Sequence, residues 1–159
     1  MIFVTVGTQL AFDRLIEAVD AYAGSSGADD VFAQIGPGSF RPRHLAFEPF
    51  ISPRECRERM AAADAVIAHA GMGTILSALE LAKPVVVMPR RADLGEHRND
   101  HQLATAERLS TLRGVQVVND RHELARALER LNLGAELDPI GPHASSRLVN
   151  TIRAFINAG

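Results

Sequence analysis

The segment His69-Ala70-Gly71-Met72-Gly73-Thr74 joins an apolar run to a helix-forming stretch. Glycines let a ligand approach the backbone, and a helix start offers unpaired N–H groups and the positive end of the helix dipole. Thr74 and His69 add side-chain donors, and His69 is placed to stabilise a departing diphosphate. The segment therefore predicts a diphosphate-binding turn. A tight turn after a polar strand end is the structural alternative, because a glycine-rich motif alone has low specificity.

A second polar segment, residues 89–102, follows the next apolar run. It contains Arg90, Arg91, Asp93, Glu96, His97, Arg98, Asn99, Asp100, His101 and Gln102. The segment is long for a strand-to-helix connection, and its mixture of donors and acceptors suits a sugar with several hydroxyls. A solvated surface loop is the alternative for any charged run. His97 and His101 have a spacing that binds metal on a helix, but no third ligand is evident.

Two further loops are candidates for ligand contact. Gly7-Thr8-Gln9 follows the first apolar run. Phe50-Ile51 offers backbone groups and an apolar floor to a nucleotide base, although a structural role for Phe50 is at least as well supported.

Short apolar runs alternate with helical patterns along the chain. The predicted strands are 2–6, 31–35, 44–50, 65–68, 85–88 and 115–118; the predicted helices are 11–22, 53–63, about 73–83, 100–112, 121–131 and 148–156. Ser52 with Glu55, and Asp120 with Glu123, predict capping boxes. The alternation predicts an α/β fold with a doubly wound, mostly parallel sheet. Ligands of such folds bind beyond the carboxyl ends of the strands, where all four loops are expected to lie.

Composition excludes several classes of function. The 159 residues suit a single domain, 1–159, and a net charge of -2 gives no reason to expect nucleic acid as a partner. Cys56 is the only cysteine, so no internal disulfide is possible and we expect a cytoplasmic protein. No run approaches the roughly 20 apolar residues that cross a bilayer. The sequence also lacks the P-loop, GxSxG and HExxH motifs.

These segments resemble the carboxy-terminal half of GT-B glycosyltransferases of family 28. The resemblance is carried by "FVTVGTQLAFDRLIEAV", "ADAVIAHAGMGTILSALELAKPVVVMP" and "NDHQLATAERL", within residues 1–112. It extends to the small, stand-alone subunits of two-part transferases that act on lipid-linked sugars, including bacterial exopolysaccharide enzymes. The resemblance implies a Rossmann-like domain that forms the donor-binding half of a GT-B fold, with a UDP-sugar as substrate. The sequence has no Asp-x-Asp triplet of the kind that holds a metal on a nucleotide diphosphate, so we expect a helix start to neutralise the diphosphate, with neither cofactor nor metal.

The resemblance also implies roles for individual residues. His69 would stabilise the leaving group, Gly71, Gly73 and Thr74 would hold the diphosphate, and Gln102 and Asp100 would bind sugar hydroxyls. The predicted donor-binding set is Gly7, Thr8, Phe50, Ile51, Gly71, Met72, Gly73, Thr74, Arg90, Glu96, His97, Asp100 and Gln102. Many relatives carry a ribose-binding glutamate where this chain has Ser77, so the ribose contact is unassigned. An arginine of the 89–102 segment raises UDP-glucuronate as a candidate donor.

The activity implied is an inverting transfer of a hexose, N-acetylhexosamine or uronic acid to a polyprenyl-diphosphate-linked acceptor. In GT-B enzymes the amino-terminal half supplies the acceptor site and usually the base. We therefore expect a separate, membrane-associated, acceptor-binding subunit that holds this chain at the inner face of the membrane. The alternatives are a non-catalytic nucleotide-sugar-binding subunit that enhances a partner transferase, and an unrelated α/β nucleotide-binding regulator.

Overall fold

A parallel sheet forms the centre of the computed structural model, which describes residues 1–131 and 137–140. Its strands are β1 (Ile2–Thr5), β2 (Val31–Gln34), β3 (Ala46–Glu48), β4 (Ala65–His69), β5 (Val85–Met88) and β6 (Val115–Val117). Their order is β3-β2-β1-β4-β5-β6, and every neighbouring pair is parallel. The order reverses between β1 and β4, which is the switch point where doubly wound sheets bind ligands. The predicted fold class is confirmed.

Helices cover both faces of the sheet. They are α1 (Asp13–Ser26), α2 (Pro53–Ala62), α3 (Met72–Glu80), α4 (His101–Leu109) and α5 (Arg121–Arg130), with a single 3-10 turn at Ala92–Leu94. One core cluster contains α1 and α5 side chains such as Ile16 and Leu124, and the other contains Met60, Ile75 and Ala106 from α2, α3 and α4. Side chains of β4 and β5 alternate between the two clusters. This arrangement explains why β5 is apolar throughout and β4 is apolar from Ala65 to Ala68.

The helix starts follow the predicted capping residues, but only half of each capping box forms. The Ser52 hydroxyl accepts a hydrogen bond from the Glu55 N–H at 3.1 Å, and Asp120 accepts one from the Glu123 N–H at 2.9 Å. The second hydrogen bond of each capping box, from the N-cap N–H to the glutamate carboxylate, does not form. Glu55 accepts from the Arg59 side chain at 2.9 Å, while Glu123 accepts from the N–H of Asn119 at 2.7 Å. A charged donor one turn away is the stronger partner for Glu55.

Several boundaries differ from the predictions. The strand predicted at 44–50 is confined to Ala46–Glu48, because Pro49 has no N–H to continue the ladder. Helix α1 extends four residues beyond the predicted end at residue 22, to Ser26, and its C-cap is Gly27, which has a left-handed φ of 69°. No helix in the described ranges has the length and apolar character needed to span a bilayer. The helix predicted at 148–156 lies outside the described residues.

Candidate functional site

A cavity of about 320 Å³ opens at the carboxyl ends of β1, β4 and β5. Its lining residues are Val6, Gly7, Thr8, Gln9, Leu10, His69, Gly71, Gly73, Thr74, Arg90, His97 and Gln102. These residues come from three loops, which are brought together by the pairing of β1 with β4 and of β4 with β5. None of the lining residues carries a carboxylate. The described wall of the cavity is therefore suited to an anion.

The turn between β4 and α3 supplies backbone donors to this cavity. Gly71 is the N-cap of α3, and its carbonyl accepts the first helical hydrogen bond, from the Ile75 N–H at 3.2 Å. The N–H groups of Met72, Gly73 and Thr74 find no acceptor among the described residues, and no acidic side chain lies in this first turn. These donors, with the positive end of the helix dipole, form the local chemistry that binds phosphate groups.

Gly73 and Gly71 serve different purposes in this turn. A Cβ atom added at Gly73 would meet no atom of the described residues within 4 Å, so these residues do not require a glycine there. A Cβ atom at Gly71, by contrast, would overlap Nε2 of His69. Gly71 therefore makes room for the imidazole, whereas the open space beside Gly73 is available to a ligand.

His69 is the last residue of β4, and its ring lies between two glycines. Besides Gly71, the ring is close to Gly7, whose added Cβ atom would lie 2.9 Å from Cε1 of the ring. Gly7 also has a φ of +76°, which other residues rarely adopt. The ring position therefore depends on glycine at both loops.

The His69 ring is neutral over the physiological pH range. Burial lowers its pKa to about 4, and the positive charge of Arg90 acts in the same direction. Its Nδ1 atom is buried and has no hydrogen-bond partner within the part of the chain that the structure describes. A neutral imidazole retains one N–H group, which can donate to an oxygen of a bound anion.

Two buried polar residues that sequence reasoning missed hold the loop after β1. The Thr5 hydroxyl donates to Oε1 of Gln34 at 2.5 Å and accepts from the N–H of Gly7 at 3.2 Å. The Gln34 side-chain amide donates to the Gly7 carbonyl at 3.1 Å. Both residues lie in short strands of mostly apolar residues, so the sequence pattern assigned them to strands and not to a site. The only available signal was a polar residue at the end of each strand.

Arg90 is almost fully buried, at 3% exposure, beside the same loop. Its Nη2 atom donates to the carbonyls of Val6 at 2.8 Å and Leu10 at 2.7 Å, and its Nε atom donates to that of Ala11 at 3.4 Å. Burial lowers its pKa to about 10, so the guanidinium stays charged at neutral pH. The structure therefore engages most of the donors that the sequence assigned to a ligand.

Gln102 lies at the start of α4, and only the oxygen of its side-chain amide is bonded to a described residue. Its Oε1 atom accepts a hydrogen bond from the Arg90 N–H at 3.0 Å, which fixes the orientation of the amide. Its NH2 group has no acceptor among the described residues, and the residue lines the cavity. Gln102 can therefore donate to a ligand without breaking a protein hydrogen bond.

Glu96 and Asp100 are bonded within the structure and do not line the cavity. Glu96 forms a two-pronged ion pair with Arg14 of α1, at 2.7 and 2.9 Å, and accepts from the Arg91 N–H at 2.9 Å. Asp100 accepts from the Ala92 N–H at 3.1 Å. Arg14, which no sequence motif singled out, also donates to the carbonyls of Pro89 and Asn119.

Three other predicted residues lie away from the cavity lining. Phe50 is 53% exposed beyond β3, and Met72 projects from the first turn of α3 with 47% exposure. Ile51 packs against the core cluster that contains Phe3. Contact of these side chains with a ligand stays a prediction. The predicted residues that do meet at the cavity are Gly7, Thr8, His69, Gly71, Gly73, Thr74, Arg90, His97 and Gln102.

His97 does not form the helical pair with His101 that the spacing suggested. Helix α4 begins at His101, so His97 lies in the preceding loop, with ring centroids 6.2 Å apart. The Nδ1 atom of His97 lies 3.2 Å from the carbonyl oxygen of Asn99. Among the described residues, no group of three or more His, Cys, Asp or Glu side chains is arranged to hold a metal ion.

The sequence profile of the glycosyltransferase family 28 C-terminal domain matches residues 1–144. The chain belongs to this family. It is 36% identical to the human UDP-N-acetylglucosamine transferase subunit ALG13 over 118 residues, or 68% of this chain and 10% of the human protein. The mouse protein of the same name is 34% identical over 117 residues, covering 67% and 10%. The chain thus spans about a tenth of the length of these relatives.

Solved structures show the same fold. An NMR solution structure of ALG13 has a TM-score of 0.60 at 18% identity, covering 95% of this chain and 93% of that one. A crystal structure of the glycotransferase of kitacinnamycin has a TM-score of 0.63 at 20% identity, covering 84% of this chain and 35% of that one. The ALG13 domain, which is similar in size to this chain, and part of the longer kitacinnamycin glycotransferase therefore share this α/β architecture.

Proposed function

We propose that this domain is the donor-binding subunit of a two-component inverting glycosyltransferase. It would move a hexose, N-acetylhexosamine or uronic acid from a UDP-sugar to a polyprenyl-diphosphate-linked acceptor in polysaccharide synthesis. The observation that carries the proposal is the turn between β4 and α3. There, N–H groups without an acceptor in the described part of the chain, and the open side of Gly73, adjoin a cavity whose described lining has no carboxylate. Family membership and the names of the mammalian relatives support a UDP-sugar as donor.

In this proposal the chain acts on the leaving group. The N–H groups of α3 and its dipole bind the diphosphate and stabilise the charge that develops as the sugar departs. His69 donates a hydrogen bond as a neutral imidazole, because its low pKa keeps it unprotonated at neutral pH. The amide of Gln102 donates to a hydroxyl of the donor sugar. We propose no metal ion, since the helix start already supplies positive potential.

The acceptor and its base are assigned to a partner. The described cavity lining contains no carboxylate, and the His69 ring is enclosed by Gly7 and Gly71, so we place the catalytic base on another chain. We propose that this partner is membrane-associated and binds the lipid-linked sugar. This chain would then work at the cytoplasmic face of the membrane through the partner.

Calorimetric titration tests the donor site directly. The wild-type protein is titrated with UDP, UDP-N-acetylglucosamine, UDP-glucuronate and UDP-galactose, beside Thr74→Ala and Gln102→Glu. Gln102→Glu retains the oxygen that accepts from Arg90 but loses the amide donor. We expect Thr74→Ala to weaken UDP binding and Gln102→Glu to reduce discrimination among the sugars. Absence of UDP binding by the wild-type protein, with membranes containing the partner present, would contradict the proposal.

A non-catalytic subunit is the second candidate, and the carboxylate-free lining supports it as well. Reconstituted transfer with the partner separates the two. If this chain binds the donor for catalysis, Thr74→Ala raises the donor KM in step with its weaker UDP binding. If the chain only enhances the partner, Thr74→Ala supports the wild-type rate at every donor concentration.

We propose UDP-glucuronate as one candidate donor, with Arg98 as the arginine that pairs with its carboxylate. Arg90 is held by backbone carbonyls, and Arg91 forms an ion pair with Asp93 at 2.6 Å. Arg98 is exposed and forms no ion pair with a described residue. We expect Arg98→Ala to weaken UDP-glucuronate binding several-fold and leave UDP binding unchanged. Equal effects on both ligands would assign Arg98 to general attraction of phosphate.

A further inference from the structure

We infer that Arg90 is a positioning residue of the donor site, whose buried guanidinium holds the loop between β1 and α1 against His69. This inference rests on the proposed function, because it names the residue that sets the geometry of that site. It differs from the sequence prediction, in which Arg90 bound the donor directly.

The contacts of Arg90 converge on one short loop. Its guanidinium donates to the carbonyls of Val6, Leu10 and Ala11, which lie at both ends of that loop. The guanidinium carbon also lies 4.9 Å from the ring centroid of Phe12, the N-cap of α1. A planar fork is needed to reach carbonyls on both sides, and a lysine ammonium cannot reproduce it.

The loop held by Arg90 contains the glycine that contacts His69. Gly7 lies between Val6 and Leu10, and its Cα is so close to the imidazole that a Cβ atom there would clash. On the far side, Thr5 and Gln34 bind the N–H and carbonyl of Gly7. The loop is thus anchored from two directions, and its inner surface forms one wall around the ring.

The partners of Arg90 also preserve its charge. No Asp or Glu of the described ranges forms an ion pair with its guanidinium; the nearby Glu96 is bound by Arg14. Backbone carbonyls accept from its Nε and Nη2 atoms without adding a negative charge. The positive charge remains available to an anionic ligand in the adjoining cavity, and it contributes to the low pKa of His69.

Arg91 provides a matched control. It is the next residue along the chain, but its side chain is exposed and is paired with Asp93 at 3.0 and 2.6 Å. Arg91→Lys therefore makes the same chemical change as Arg90→Lys without touching the loop.

The test compares the wild type with Arg90→Lys, Arg90→Met and Arg91→Lys. We would measure UDP and uridine binding, thermal unfolding, and the His69 pKa by NMR of imidazole carbons. We expect Arg90→Lys to weaken UDP binding about tenfold, to leave uridine binding within twofold, and to raise the His69 pKa less than Arg90→Met does. Arg91→Lys should match the wild type in every measurement.

The outcomes separate this inference from the proposed function. If the wild type fails to bind UDP even in the presence of membranes that contain the partner, the proposed function is wrong. If the wild type binds UDP and Arg90→Lys behaves like Arg91→Lys, only the inference is wrong. Equal losses of UDP and uridine binding, with equal rises of the His69 pKa in both Arg90 variants, would show a merely structural role and also overturn it.

A second variant covers the case in which the Arg90 variants do not fold. Thr5→Val combined with Gln34→Leu releases Gly7 from the opposite side of the loop while leaving Arg90 in place. We expect weaker UDP binding with little change in uridine binding. UDP affinity equal to that of the wild type would show that the loop position does not matter to the site, and the inference would fail.

Discussion

Two loops beside the same cavity use their polar groups in opposite ways. The turn after β4 is short and contains two glycines, yet the N–H groups of Met72, Gly73 and Thr74 have no acceptor among the described residues. The loop after β5 is long and highly charged, but Glu96, Asp100 and most of Arg90 are bonded within the protein. Charge density in a sequence is therefore a poor measure of binding capacity; what matters is which donors remain unpaired after folding.

The substitution Gly71→Ala tests whether the turn after β4 binds the ligand. Because the added Cβ atom would overlap the His69 ring, we expect UDP affinity to fall about 100-fold, which corresponds to about 2.7 kcal/mol. Calorimetry with UDP measures this. Gly73→Ala is the control: its added Cβ atom meets none of the described residues within 4 Å, so this variant should unfold at the wild-type temperature and lose only about tenfold in affinity. A Gly71→Ala protein with wild-type affinity would contradict the described role of the ring.

The pH dependence of the free energy of unfolding near pH 5 tests the buried position of His69 beside the same turn. The pKa of His69 falls from 6.5 to about 4 in the folded protein, so the unfolded chain binds more protons between these values. The contribution is fully present above pH 6.5 and is lost as the pH falls toward 4, up to about 3 kcal/mol. Urea unfolding at pH 7 and pH 4.5 measures the loss. In His69→Gln the corresponding part of the slope should disappear; an unchanged slope would refute the assignment.

The internal bonding of the loop after β5 predicts a cost for Arg14→Ala. This change leaves Glu96 largely buried without its partner and removes hydrogen bonds to two backbone carbonyls, so we expect a loss of about 2 kcal/mol. Chemical denaturation provides the measurement. Arg54→Ala is the matched control, because Arg54 is 87% exposed in its pair with Glu58 and should cost almost nothing. Equal effects would show that the loop is not held by Arg14.

Asp100→Asn should have the smallest effect. An asparagine oxygen can accept the same hydrogen bond from the Ala92 N–H, so we expect donor affinity to change by less than about twofold. Titration with the preferred UDP-sugar and with UDP alone measures it. A tenfold loss confined to the UDP-sugar would place the Asp100 carboxylate on a sugar hydroxyl and sharpen the boundary of the site.

Local patterns predicted much of this fold. The buried strands β4 and β5, the capping residues Ser52 and Asp120, and the turn that opens α3 each depend on residues within a few positions of one another. The contacts that sequence reasoning missed are long-range. Arg14 and Glu96 are 82 residues apart, and Arg90 is 84 residues from Val6. Which polar groups are engaged is decided by the sheet order, and a single sequence does not display that order.

The strands of the sheet become shorter toward both of its described edges. Strands β3 and β6 each have three residues, whereas β4 at the centre has five. An outer strand this short exposes few unpaired N–H and C=O groups, so another chain that docked edge to edge would gain few hydrogen bonds. Growth of the sheet from one molecule into the next is thereby discouraged at each described edge.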